Sequence, residues 1–149
     1  MPQTGSLTCI APFRPTDDKG CRVPRSRCPG NLFEPEFLRG PMVTEVEPVE
    51  VARRLRAEPE KVLLLDVREP FEREAAAIVP SMHIPMGDIP ERQGEIPHDR
   101  ELIVYCHGGQ RSMIVAAFLE GHGFRSVSNM AGGIDAWSVE VDPAVPRYG

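Results

Sequence analysis

The chain has 149 residues, 41% hydrophobic and 26% charged, with a formal net charge of −5. This length supports one domain with a real core and is short for two. No apolar run approaches the ~20 residues of a membrane span, and the negative balance opposes general binding to a phosphate backbone, so neither membrane nor nucleic acid is expected as a partner.

The first 41 residues hold seven of the 16 prolines and three of the four cysteines, carry a net charge of +2 and leave −7 for residues 42–149. They show no helical or strand periodicity, so residues 1–41 are expected to be a disordered or loosely ordered tail and residues 42–149 the folded domain. An alternative is that Met42 is the natural start. "MPQTGSLTCIAPFRP" has neither the basic start nor the apolar stretch of a secretory signal, which makes the cytoplasm the expected location. Cys9, Cys21 and Cys28 lie far from Cys106 and form no disulfide framework. A zinc site on those three lacks a fourth ligand in its own segment, and no metal is expected.

From Met42 onward the pattern is regular. "VEPVEVARRLRAEP" puts Pro48 at a first helical position and Val51, Ala52 and Leu55 on one face. "KVLLLDV", through Asp66, and "ELIVY", ending before Cys106, are continuous apolar runs of strand length, the mark of central parallel strands buried on both faces. "RSMIVAAFLEGHGF" predicts a helix with Ile114, Ala117, Phe118 and Gly121 on one stripe and Gly123 as its stop. "SVSN" reads as a short strand, and "GGIDAWS" as a small helix that packs Ile134 and Trp137 on the sheet. Strands alternating with helices predict an α/β domain whose ligands lie beyond the carboxyl ends of the strands, where Asp66 and Cys106 both fall.

The stretch "YCHGGQRS" carries the chemistry. With Cys106 at a strand end and a helix starting near Arg111 or Ser112, Gly108 and Gly109 let the backbone curl and turn successive N–H groups inward as an anion nest. The helix N-terminus adds partial positive charge and Arg111 a full one, the surroundings that favour a nucleophilic thiolate. A merely packed buried thiol is the alternative, and it would need neither the glycine pair nor the arginine. His107 is expected to line the pocket rather than to act as a general base, because sequence neighbours seldom face each other. Gln110 and Ser112 could each donate to a bound anion, and Ser112 could equally cap the helix. His83, His98 and His122 are scattered and read as structural or solvent-facing.

"LLDVREPFERE", "HIPMGDIPER", "IVYCHGGQRS", "GF" and "NMAGGIDAW" resemble, in order, the landmarks of the rhodanese-like sulfurtransferase family, from about Val43 onward. The resemblance implies a three-layer α/β domain with a five-stranded parallel sheet flanked by helices. It makes Cys106 the carrier of a persulfide and His107, Gly108, Gly109, Gln110, Arg111 and Ser112 the surrounding substrate-binding loop, with Asp66 and Arg68 bracing the site rather than reacting. Cys106 through Arg111 spans six residues, the sulfurtransferase length, where related phosphatases have one more. The family's histidine and glycine before "HIP" are Ala77 and Pro80 here, so the local turn is expected to differ from the family's. The implied reaction moves sulfane sulfur from a thiosulfate-like or persulfide donor to a thiophilic acceptor without a cofactor, with a sulfur-carrier or desulfurase protein as a further partner. The alternatives are a non-enzymatic persulfide relay or docking module and, further off, a cysteine phosphatase or arsenate reductase.

Overall fold

A computed structural model describes residues 42–149. Predictions for the first 41 residues, including those for Cys9, Cys21 and Cys28, lie outside the described residues. In chain order the elements are β1 (Thr44–Val46), α1 (Pro48–Ala57), β2 (Val62–Asp66), α2 (Pro70–Ala75), β3 (Met82–His83), α3 (Ile89–Arg92, between short 3-10 turns), β4 (Glu101–Tyr105), α4 (Gln110–Gly121), β5 (Val127–Met130) and α5 (Gly133–Glu140).

The strands form one five-stranded sheet in the order β1-β5-β4-β2-β3. Every pairing is parallel, and β4 lies at the centre with Val62 to Asp66 of β2 in register against Glu101 to Tyr105. Each face of the sheet is covered, which is why these strands read as unbroken apolar runs. Ile103 and Tyr105 of β4 join Val51, Ala52, Ile134 and Trp137 on one side. Leu102, Val104 and Cys106 join Ile89, Val115, Ala116 and Leu119 on the other. The three-layer architecture follows from this alternation.

The α4 stripe departs from expectation. Its buried residues are Ser112, Val115, Ala116 and Leu119, whereas Ile114 is 59% exposed, Ala117 and Phe118 are half-buried and Gly121 is exposed. Apolar side chains occur all round this helix, so two stripes compete and periodicity alone does not choose between them. Gly123 stands just past the helix with φ +95°, the left-handed conformation that glycine adopts most readily. The turn that departs from the family pattern contains a cis Val79–Pro80 bond.

Candidate active site

Residues 106–112 leave the carboxyl end of β4 and enter α4, whose N-cap is Gly109 at φ +94°. A side chain there would be strained, and an added Cβ would lie 3.3 Å from the amide nitrogen of Gly132 and 3.5 Å from the carbonyl oxygen of Met130. The loop is also held from behind by the start of α5. Ile134 N–H donates to the Cys106 carbonyl at 2.9 Å and Asp135 N–H to the His107 carbonyl at 3.2 Å. With those carbonyls engaged outward, the amides that follow are free to turn toward the sulfur.

Cys106 is 1% exposed. Its Sγ accepts a hydrogen bond from Gly109 N–H at 3.1 Å and lies 3.3 Å from Ser112 Oγ. The nest expected from the glycine pair is thus one amide and one hydroxyl, since only Gly109 takes a positive φ. Ser112 is the third residue of α4 rather than its cap, and its Oγ also lies 3.1 Å from the carbonyl of Gly109. One hydroxyl proton serves either the sulfur or that carbonyl, and a thiolate is the stronger acceptor. Gly108 and Gln110 are exposed on either side of buried Gly109.

Arg111 corrects the expectation of a free positive charge. Its Nη1 and Nη2 donate to Glu72 Oε2 and Oε1, each at 2.7 Å, in a bidentate pair. Glu72 is a buried carboxylate of α2 that also accepts from Glu69 N–H at 3.0 Å and from Tyr148 Oη at 3.2 Å. The Arg111 guanidinium, helped by the Glu69 amide and the Tyr148 hydroxyl, outweighs burial and holds the Glu72 carboxyl down to about 2. Glu72 in turn raises the affinity of Arg111 for its proton.

Asp66 and Arg68 are both 0% exposed and pair through Arg68 Nε and Nη2 to Asp66 Oδ1 and Oδ2 at 2.9 and 2.7 Å. Asp66 further accepts from Arg73 Nη1 at 3.2 Å and from Tyr105 Oη at 3.0 Å. Burial, reinforced by the Asp66 charge, pushes the Tyr105 phenol up to about 12. Arg68 also donates to Tyr148 Oη at 2.6 Å and to the carbonyl of Ala76 at 2.8 Å. Burial works against the charge on Arg68, and Asp66 and Tyr148 overcome it. Asp66, Arg68, Tyr148, Glu72 and Arg111 therefore form one continuous polar chain from the end of β2 to the loop.

His107 does not contact Sγ by hydrogen bond. Its ring packs on Tyr148 with centroids 4.7 Å apart, and its Nδ1 is buried without a hydrogen-bond partner among the described residues. His83 Nε2 lies 2.8 Å from the Arg68 carbonyl, while His98 and His122 are exposed and stack on Phe124 and Phe118. Among the described residues no group of His, Cys, Asp and Glu is arranged to hold a metal ion. Sequence reasoning missed Glu72, Tyr105 and Tyr148. For Glu72 a signal existed in "EPFE", where proline at a first helical position and a glutamate two residues on mark a helix start. For Tyr148, 76 residues from its carboxylate partner, there was none.

A family model of the rhodanese-like domain matches residues 47–140. A protein named sulfurtransferase from Allochromatium vinosum is 40% identical over 108 residues, covering 72% of this chain and all of that one. The putative sulfurtransferase YtwF of Bacillus subtilis is 37% identical over 101 residues, covering 68% of this chain and 96% of the relative. The crystal structure of a rhodanese-related protein from Thermoplasma volcanium superposes with a TM-score of 0.60 at 29% identity, over 69% of this chain and 97% of that one.

Proposed function

The chain belongs to the rhodanese-like domain family, and from that membership we propose that it is a sulfurtransferase whose Cys106 accepts sulfane sulfur as a persulfide and hands it to a thiophile. The observation that carries the reading is the 3.1 Å hydrogen bond from Gly109 N–H to Cys106 Sγ at the start of α4. A sulfur anion there meets an oriented N–H and the positive end of a twelve-residue helix, an arrangement that stabilises charge without needing a base.

Two displacements complete the cycle. The Cys106 thiolate attacks the outer sulfur of a donor such as thiosulfate or a persulfide; the donor's sulfur–sulfur bond breaks, and its electron pair leaves with sulfite or thiolate. A thiophilic acceptor then takes the terminal sulfur, and the pair returns to Cys106. No electrons are gained or lost overall, so the cycle calls for no redox cofactor. Gly108 and Gln110 are exposed residues of the loop, and we propose that the donor approaches the buried sulfur past them. Ser112 and the Gly109 amide hold the sulfur, Arg111 and Glu72 brace the loop, and Asp66 and Arg68 anchor that brace to the sheet.

Phe71 and Ile114 are 70% and 59% exposed. Phe71 precedes Glu72 and Ile114 follows Arg111 by three residues, and we propose a protein, either a sulfur carrier or a desulfurase, as one of the two substrates. We assign the reaction to the cytoplasm, where thiols stay reduced. The test is intact-protein mass after incubation with thiosulfate or a persulfide. Gain of one sulfur atom on Cys106, absent in Cys106→Ser, is the expected result. Phosphate release from an aryl phosphate without any sulfur loading would overturn it in favour of a phosphatase.

A further inference from the structure

We propose that Glu72 is a positioning residue for donor choice: by occupying Arg111 from within the chain, it sets the site against compact dianionic donors and toward sulfane sulfur carried on a group with at most one negative charge. This rests on Cys106 being the sulfur acceptor and narrows the class of donor.

Arg111 offers a planar fork of the kind that would grip a sulfonate, but its Nη1 and Nη2 both already bind one carboxylate at 2.7 Å, which offsets its charge. The competitor is hard to displace. Glu72 is 7% exposed, and its two oxygens are fixed by Glu69 N–H at 3.0 Å and Tyr148 Oη at 3.2 Å. Freeing the guanidinium would leave that carboxylate buried without its counter-ion, a costly state. The other arginines at this end of the sheet offer no substitute. Arg68 is 0% exposed and bound to Asp66, and Arg73 is shared between Asp66 and Ser81. Among the described residues, each arginine whose bonds reach the site is thus already matched to a carboxylate. An incoming dianion meets neutralised charge, a penalty that a donor with one negative charge or none largely escapes.

The chemistry is the same for either donor. With an organic thiosulfonate, the Cys106 thiolate forms a bond to the outer sulfur, the donor's sulfur–sulfur bond breaks, and the electron pair departs with an organic sulfinate. With thiosulfate the pair departs with sulfite.

The experiment uses the full chain, wild type and Glu72→Gln, with two readouts. The first is steady-state transfer to cyanide from thiosulfate, a dianion, and from benzenethiosulfonate, a monoanion with an apolar ring. The second is the rate of Cys106 alkylation by anionic iodoacetate relative to neutral iodoacetamide, which needs no transferase activity. Wild type is expected to favour benzenethiosulfonate in kcat/KM by roughly ten-fold, and Glu72→Gln to shrink that preference several-fold, chiefly through a lower KM for thiosulfate, because unmasking one guanidinium acts on charge. The iodoacetate-to-iodoacetamide ratio should rise in the variant relative to wild type. Gln retains an oxygen for the Glu69 amide, so a merely structural effect would leave both ratios unmoved. Unchanged ratios in a folded variant overturn the proposal. So does a wild-type kcat/KM for thiosulfate equal to or above that for benzenethiosulfonate, which decides the matter even if the variant does not fold. Absence of sulfur loading from either donor would instead sink the sulfurtransferase reading and leave the alkylation ratios to judge Glu72.

Discussion

Replacing Gly133 by alanine adds one methyl group at the point where α5 meets the cysteine loop. Gly133 has φ +57°, and a Cβ there would sit 2.7 Å from the carbonyl carbon of His107, with the carbonyl oxygens of Cys106 and His107 closer still. These neighbours are main chain and cannot swing aside. The left-handed conformation costs alanine about 1 kcal/mol. Relieving the clash must pull α5 from the loop and stretch the bonds from Ile134 N–H and Asp135 N–H, now 2.9 and 3.2 Å, each worth about 1 kcal/mol. The sum is about 3 kcal/mol, or a fall of roughly 10–20 °C in Tm for a domain of this size. Thermal unfolding of Gly133→Ala should be compared with Gly94→Ala, where an added Cβ meets nothing within 4 Å. The Cys106 alkylation rate, followed in the same samples, should change only in the first. If Gly133→Ala melts with the wild type, the claim that α5 holds the loop is wrong.

Arg111→Ala should destabilise the fold by about 2 kcal/mol at neutral pH, the shift of Glu72 discounted for the partly exposed arginine. Glu72 is depressed from 4.5 to about 2, so its stabilisation is fully present above pH 4.5 and is lost as pH falls through 2; urea unfolding of the two proteins should therefore converge toward pH 2 and diverge above 4.5. Tyr105 is raised from 10.0 to about 12, so its stabilisation holds below pH 10 and fades as pH rises through 12. Tyr105→Phe should abolish that alkaline loss, as read by ultraviolet titration alongside unfolding. Leu119→Ala, at a fully buried site, should cost about 2–5 kcal/mol and Ile114→Ala less than about 0.5 kcal/mol. Equal costs in chemical denaturation would reject the assignment of the inner face of α4.

Much of the fold was legible because its signals are local. A strand buried on both sides must be apolar throughout, so β2 and β4 announce themselves, and "CHGGQRS" after such a strand announces a tight turn into a helix. The inner face of α4 was not legible: "MIVAAFL" has no polar side to exclude. Nor were the partners of Arg111, because Glu72 is 39 residues away and within "PFERE" resembles any solvated helical acid. A sequence shows that an arginine follows a cysteine by five residues. Whether its charge is free depends on a contact that only the folded chain creates.

The two carbonyls held by α5 have a consequence for engineering. With the main chain of Cys106 and His107 tied down on its outer side, the loop has little freedom to follow a departing product, and turnover becomes a matter of side chains around a fixed frame. Libraries aimed at new substrates should vary Phe71, His107, Gln110 and Ile114, and leave the glycines and the first turn of α5 untouched.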